Sequence, residues 1–399
     1  MEVEVPHFAY QFHAAVGNCQ PVLAGPAGVG NPAPRLINLA NTGGAALVPH
    51  LAGGIPAAGL AAVPAVAASA PYTWAGLTNA SLRIGLYPAG PHPAYEANWR
   101  MASLRVAAYT AAGGQLRDTP ILAALDAGEK RALAYFAGVT LAMYTAGISG
   151  FTFPRHLSRH VAVYGGAGVG YTVDPAFAAA NLPDIVFFNL GAGTCQVWEA
   201  KGRGVGAAGG GFAAAGVPAL LGTALDQTRK LATVRIPGVF GALTAPNARI
   251  ASVARVNPAD GRWHLHVADP AQKRRREEGD PMEKAKFYEE FYRPFLEMID
   301  GSTATLTVDG VRFLVAVVPG TRVRIGLDER IADLFGQHVG KRGRPEGDRA
   351  ATASPEEICE RIEEIVETGY GQAPIDNLYV SPEGILTEAD EEDLTQPPA

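Results

Sequence analysis

At 399 residues the chain is too long for one domain of typical size, so two domains, or one with large elaborations, is the expectation. Hydrophobic residues at 48% and charged residues at 18% fit a globular protein, while 47 Gly and 30 Pro predict a raised share of loops. A net charge of −6 excludes a global field that attracts nucleic acid, so such contacts would need a local basic patch.

Cys19, Cys195 and Cys359 lie far apart without CxxC spacing, which predicts neither a disulfide framework nor a zinc site and suggests a reduced, cytoplasmic setting. Met1-Glu2-Val3-Glu4 lacks the basic start and apolar run of a secretory signal, so export is not expected. Residues 36 to 82 hold no Lys, Arg, Asp or Glu, but Pro49, Pro56, Pro64 and Pro71 interrupt the run. A spanning helix needs roughly 20 apolar residues with intact backbone bonds, so a packed or assembly-forming arm is expected here rather than a membrane segment.

In chain order, residues 1–115 form an Ala/Gly/Pro-rich region in which short strands such as Leu82 to Tyr87 are separated by turn-rich loops. Ile121 to Ala146 reads as one helix from the spacing of Leu122, Leu125, Leu133, Phe136, Val139 and Met143. Strands are expected at Val161–Tyr164, Ile185–Phe188 and Cys195–Ala200, the last two joined by a turn at Gly191–Gly193, and Gly165–Gly170 reads as a turn rather than a phosphate loop. A helix over Val217–Val234 precedes strands at Arg249–Val256 and Trp263–Val267, which completes an α/β plan with a mixed sheet over 116–270. Residues 271–345 are expected to form an extension: an exposed loop at Arg274–Arg276, a helix at Lys284–Ile299, and a hairpin about Asp309-Gly310. Residues 346–399 hold a charged helix at Glu356–Glu367 and an acidic tail.

The chemistry is concentrated at Asp184 and at Glu199-Ala200-Lys201. Strand alternation puts Glu199 and Lys201 on one side of the sheet, and pairing with the preceding strand would bring Asp184 to Glu199. Two convergent carboxylates are a minimal cage for Mg²⁺, which keeps waters for exchange with substrate phosphate. A lysine beside them can hold the attacking water of a phosphodiester hydrolysis.

Pro183-Asp184 and Glu199-Ala200-Lys201 resemble the two signature elements of the PD-(D/E)xK nuclease superfamily. The helix, strands, helix, strand order read over roughly residues 120 to 270 is similar to that family's core. The resemblance implies a restriction-endonuclease-like mixed sheet flanked by helices and a metal-dependent endonuclease using Mg²⁺ (or Mn²⁺). It also implies nucleic acid as substrate with DNA ahead of RNA, and a setting such as bacterial defence with a homo-oligomer or a defence-system partner. It makes Asp184, Glu199 and Lys201 catalytic and adds Glu129, with Asp126 as second choice, as a further metal ligand. Gln227 or Lys230 would face the site from the following helix, and Arg203 and His160 would contact nucleic acid. Lys201, Arg203, Arg229, Lys230 and Arg235 would together supply phosphate contacts. His156 and His160 are spaced i and i+4, but no Glu follows His156, so a zinc-protease motif is not formed.

The competing reading is a non-catalytic structural or partner-binding protein whose 36–82 arm mediates assembly. In it Glu199 and Lys201 are a solvated pair at a strand end that stabilises by only about 0.2 to 1 kcal/mol. Carboxylates that converge favour the nuclease; carboxylates that point apart favour the binder.

Overall fold

The computed structural model describes residues 7–13, 66–84, 93–111, 114–148, 151–204, 216–238, 243–268, 281–300, 302, 304–336, 353–370 and 377–389. The strands are β1 (His7–His13), β2 (Val66–Pro71), β3 (Ala108–Thr110), β4 (Leu116–Asp118), β5 (Pro154–His156), β6 (Tyr171–Val173), β7 (Ile185–Asn189), β8 (Thr194–Arg203), β9 (Leu231–Arg235), β10 (Leu243–Thr244), β11 (Ala248–Val256), β12 (Trp263–Ala268), β13 (Thr305–Val308), β14 (Val311–Val317), β15 (Arg324–Asp328), β16 (Leu378–Val380) and β17 (Ile385–Glu388). The helices are α1 (Trp74–Arg83), α2 (Pro93–Ala107), α3 (Pro120–Ala124), α4 (Ala127–Ile148), α5 (Leu157–Tyr164), α6 (Val217–Lys230), α7 (Pro281–Ile299), α8 (Glu329–Leu334) and α9 (Pro355–Thr368).

The protein is mixed α/β. Its main sheet runs β2-β1-β12-β11-β8-β7-β5, with β1/β12 and β8/β11 parallel and the other pairs antiparallel. The β8/β11 pair is parallel because α6 lies between them in sequence and carries the chain back across the sheet. Ala251 and Val253, opposite Glu199 and Lys201, pack with Val217, Leu221, Ala224 and Leu225 of α6, so Glu199 and Lys201 lie on the α6 face. Alternation then turns Ala200 and Gly202 to the other face, where α4 packs.

That second contact is unusually close. A Cβ on Gly202 would sit 1.8 Å from the Ala134 carbonyl oxygen, and one on Gly138 would sit 2.8 Å from the Gly202 Cα. Two glycines therefore let the α4 backbone rest on the end of β8, which fixes the position of Tyr135.

A second sheet, β13-β14-β15-β17-β16, is antiparallel throughout. Asp309 and Gly310 at its first turn have φ of 49° and 80°, as a tight hairpin of this kind requires. α1 packs against β16, β17 and α4 and so joins the two sheets. Arg83 at the end of α1 forms a buried ion pair with Glu383, and that carboxylate also accepts the Phe153 N–H at 2.8 Å, just before β5.

Several elements differ from the sequence expectations. Val161–Tyr164 is helical as part of α5, because Leu157, His160 and Tyr164 follow a helical period, with His160 buried and its ring 4.7 Å from Tyr164. The strand beside β7 is instead Pro154–His156, whose proline and two basic residues hid it. Leu82 and Arg83 end a fully buried helix capped by Thr73 rather than start a strand, and residues 85–87 lie outside the described residues. The helix expected over Ile121–Ala146 is broken at Leu125–Asp126, where Asp126 caps a new helix. The helix from Val217 stops at Lys230 and Leu231–Arg235 is a strand. Of the uncharged arm, residues 36–65 lie outside the described residues, Val66–Pro71 pairs with β1, and 74–82 is buried. Among the described residues no helix is long and apolar enough to cross a membrane.

Candidate functional site

β7 and β8 form the hairpin that brings Asp184 and Glu199 together. Ile185 pairs with Trp198, so Asp184, one residue earlier, lies across from Glu199. The Asp184 N–H donates to Glu199 Oε2 at 2.9 Å, and the Ala200 N–H donates to Asp184 Oδ2 at 3.3 Å. Lys201 Nζ contacts Glu199 Oε1 as an ion pair. Tyr135, delivered by the close approach of α4, donates its hydroxyl to Asp184 Oδ1 at 3.2 Å. Each carboxylate is thus held at both oxygens, and the two converge at the end of the sheet.

Glu199 is 1% exposed, and burial, followed by the negative charge of Asp184, pushes its carboxyl up to about 8 against the opposing pull of Lys201. Tyr135 is held well above the usual phenol range by burial and then by Asp184, so it keeps the proton it donates. The His156 imidazole stands next to Asp184 and is lowered by burial, with Asp184 opposing. Its Nδ1 lies 2.9 Å from Ser158 Oγ.

The other residues singled out in the sequence take the following places. Glu129 accepts the Asp126 N–H at 3.2 Å while Asp126 accepts the Glu129 N–H at 3.0 Å, a reciprocal cap that keeps both at the helix start. Among the described residues no group of three or more His, Cys, Asp or Glu is placed to hold a metal ion. His160 is fully buried against Tyr164 and Phe188, and desolvation lowers it to about 3, which removes it from any surface contact with nucleic acid. Gln227 is buried. Lys230 donates to the carbonyls of Ala178, at 3.0 Å, and Ala180. Arg229 pairs with Asp226 at 3.5 Å and Arg235 with Glu283 at 3.0 Å. Three cations of the expected phosphate-binding cluster are therefore committed to internal partners, Arg229 on α6 itself, Arg235 on α7 and Lys230 on the loop before β7. Arg203, partly exposed, shares the face of Glu199 and lies opposite Arg255, itself opposite His264, but Arg255 is buried and donates to His266 at 3.1 Å, and both ring nitrogens of His264 are buried.

Sequence reading missed Tyr135 and the neighbourhood of His156. Neither carries a local signal, since Tyr135 arrives through the Gly138–Gly202 contact and His156 through a strand of three residues.

The donor set suits a small, hard divalent cation: two carboxylates, one on β8 and one just before β7, with burial and then the charge of Asp184 raising Glu199. Such an ion is commonly bound through one or two carboxylates, with water and substrate phosphate completing its shell. No family model, curated protein or solved structure matches this chain.

Proposed function

We propose that the protein is a metal-dependent nuclease with a restriction-endonuclease-like core, and that it hydrolyses phosphodiester bonds, DNA ahead of RNA. The observation that carries this reading is the convergence of Asp184, Glu199 and Lys201 at one end of the β7–β8 hairpin. The topology supports it too: α4, then β5, β7 and β8 as antiparallel neighbours, then α6 and β11 parallel to β8. With α5 and β6 inserted after β5, and β9 and β10 after α6, this order is similar to the helix, three strands, helix, strand order of the PD-(D/E)xK core that the motifs resemble.

Asp184 and Glu199 would hold Mg²⁺ or Mn²⁺, which supplies a lowered water pKa and neutralises charge on the phosphoryl group. The chain's own residues do the rest. Tyr135 and the Ala200 N–H fix the Asp184 carboxylate before any ligand arrives, which removes the cost of ordering it. Lys201, beside Glu199, would hold a nucleophilic water and meet negative charge as it develops on phosphate. Release of the Glu199 proton frees its oxygens for the cation. Arg203, partly exposed on the same face as Glu199 and Lys201, would meet the adjoining phosphate.

The test is incubation of the purified protein with plasmid, single-stranded DNA and RNA, with Mg²⁺ and with chelator. Cleavage that needs Mg²⁺ and disappears in Asp184→Asn is the expected result. Cleavage unchanged in that variant would return the balance to the partner-binding reading.

A further inference from the structure

Asp184 stands beside an open groove between α2, α4 and α5. The cavity, about 580 Å³, is lined mainly by apolar surface and includes Trp99, Tyr135, Phe136, His156, Ser158 and Arg159. Its size falls within the range of about 300 to 1,000 Å³ typical of small-ligand sites, which leaves room for one or two nucleobases.

Three rings on α2 and α4 are exposed. Tyr95 and Trp99 lie one turn apart on α2, at 72% and 59% exposure, and Tyr135 on α4 is 41% exposed. Among the described residues these are the exposed large aromatic side chains; Trp99 and Tyr135 line this groove, and Tyr95 lies one turn from Trp99. Folding normally buries such rings, so a run of them left in water marks a binding surface. Trp99 keeps a tilted contact with Phe136 at 5.6 Å, and the Arg100 guanidinium lies 5.9 Å from the Trp99 ring, its charge met by Glu96 at 2.7 Å. Arg159 adds a cation to the lining. The indole is therefore braced on one side and open on the other.

We propose that this groove receives unpaired bases of the strand whose phosphodiester is presented to Asp184 and Glu199, so that single-stranded or locally unpaired nucleic acid is the preferred substrate. The inference rests on the nuclease reading. Tyr135 joins the two places, since its ring forms a wall of the groove while its hydroxyl holds Asp184. Stacking on exposed rings tolerates any sequence because every base offers a π-face, whereas in a duplex those faces are already covered by neighbouring pairs. Bases held here would place the adjoining phosphate at the carboxylates.

All four tryptophans are among the described residues, and Trp74, Trp198 and Trp263 are buried, so emission changes on binding report Trp99. In chelator, a short single-stranded oligodeoxynucleotide should quench that emission. It should bind the parent about tenfold tighter than Trp99→Leu, the scale of losing one stacked base. Leucine keeps apolar contact with Phe136, and Tyr95→Ala, at a more exposed position, gives a second variant that leaves packing intact. With Mg²⁺ the parent should cut single strands faster than a blunt duplex, and Trp99→Leu should lose that preference. Equal single-strand affinity in the parent and both variants, with duplex still cut, overturns the groove proposal and leaves the nuclease reading standing. Binding that depends on Trp99 without any Mg²⁺-supported cleavage supports bases as the occupant and overturns the nuclease reading. Self-association abolished by Trp99→Leu, with no oligonucleotide bound, assigns the groove to a second copy and overturns the proposal.

Discussion

Glu383 and Glu199 are both buried glutamates that touch a basic side chain, yet they differ in charge count and access. At Glu383 one carboxylate faces one cation, Arg83, both sealed from solvent, and the spare donor is the Phe153 N–H. At Glu199 a second carboxylate, Asp184, is added, while the cation, Lys201, is 23% exposed. The first pair is neutral and closed, which suits a brace between sheets. The second carries an excess negative charge at an accessible end of a sheet, and such an arrangement costs stability unless a cation or proton relieves it.

The sharpest way to break this contrast is activity. Asp184→Asn and Glu199→Gln should abolish Mg²⁺-supported cleavage, and Lys201→Ala should slow single-turnover cleavage by about 10²-fold or more. Glu383→Gln should leave chemistry in the surviving folded fraction intact. Stability should reverse the ranking. Glu383→Gln leaves Arg83 buried without its partner and should cost about 3 to 5 kcal/mol in urea unfolding, the scale for breaking a buried pair. A loss as large from Glu199→Gln would erase the distinction.

Gly202→Ala comes next, since its methyl would meet the Ala134 carbonyl at 1.8 Å. It should cost about 1 to 3 kcal/mol as overpacking and, by lifting α4, part Tyr135 from Asp184. Pairing this variant with Tyr135→Phe separates displacement from loss of the hydroxyl; the latter should lower the cleavage rate only a few-fold, about 1 kcal/mol for one hydrogen bond.

The pH dependence is the subtlest effect. The folded chain keeps a proton on Glu199 that an unfolded chain releases near the ordinary carboxylate pKa of about 4.3. Its stabilising contribution is therefore complete below that pH and is lost as pH rises through about 8. In chelator, stability should fall over this interval, and Glu199→Gln should flatten the fall. Mg²⁺ affinity should strengthen as pH rises over the same interval, with proton release on binding. A pH-independent affinity would show that Glu199 is not the group displaced.

What could be read from the sequence was local. Period-two alternation placed Glu199 and Lys201 on one face, and Gly193, with φ of 58°, let the chain turn between β7 and β8, so the acidic pair was legible. What could not be read came through contacts between distant segments. Val161, Val163 and Tyr164 suggest a strand, but burial of Leu157 and His160 selects a helix. β5 has no strand pattern and exists because β7 pairs with it and Glu383 holds the N–H that precedes it. Lys201 was readable as a site cation, whereas Lys230 could not be seen to turn away toward the Ala178 and Ala180 carbonyls.

The joint made by α1 has a topological consequence. Asn79 donates to the Ile385 carbonyl at 2.9 Å and to Thr387 at 3.1 Å, so segments about three hundred positions apart in sequence lock together. A single cut in the chain between the sheets would leave two pieces still clasped, each holding a strand or helix the other needs. Partition into separately stable halves would therefore require opening the contacts of α1 rather than severing a linker.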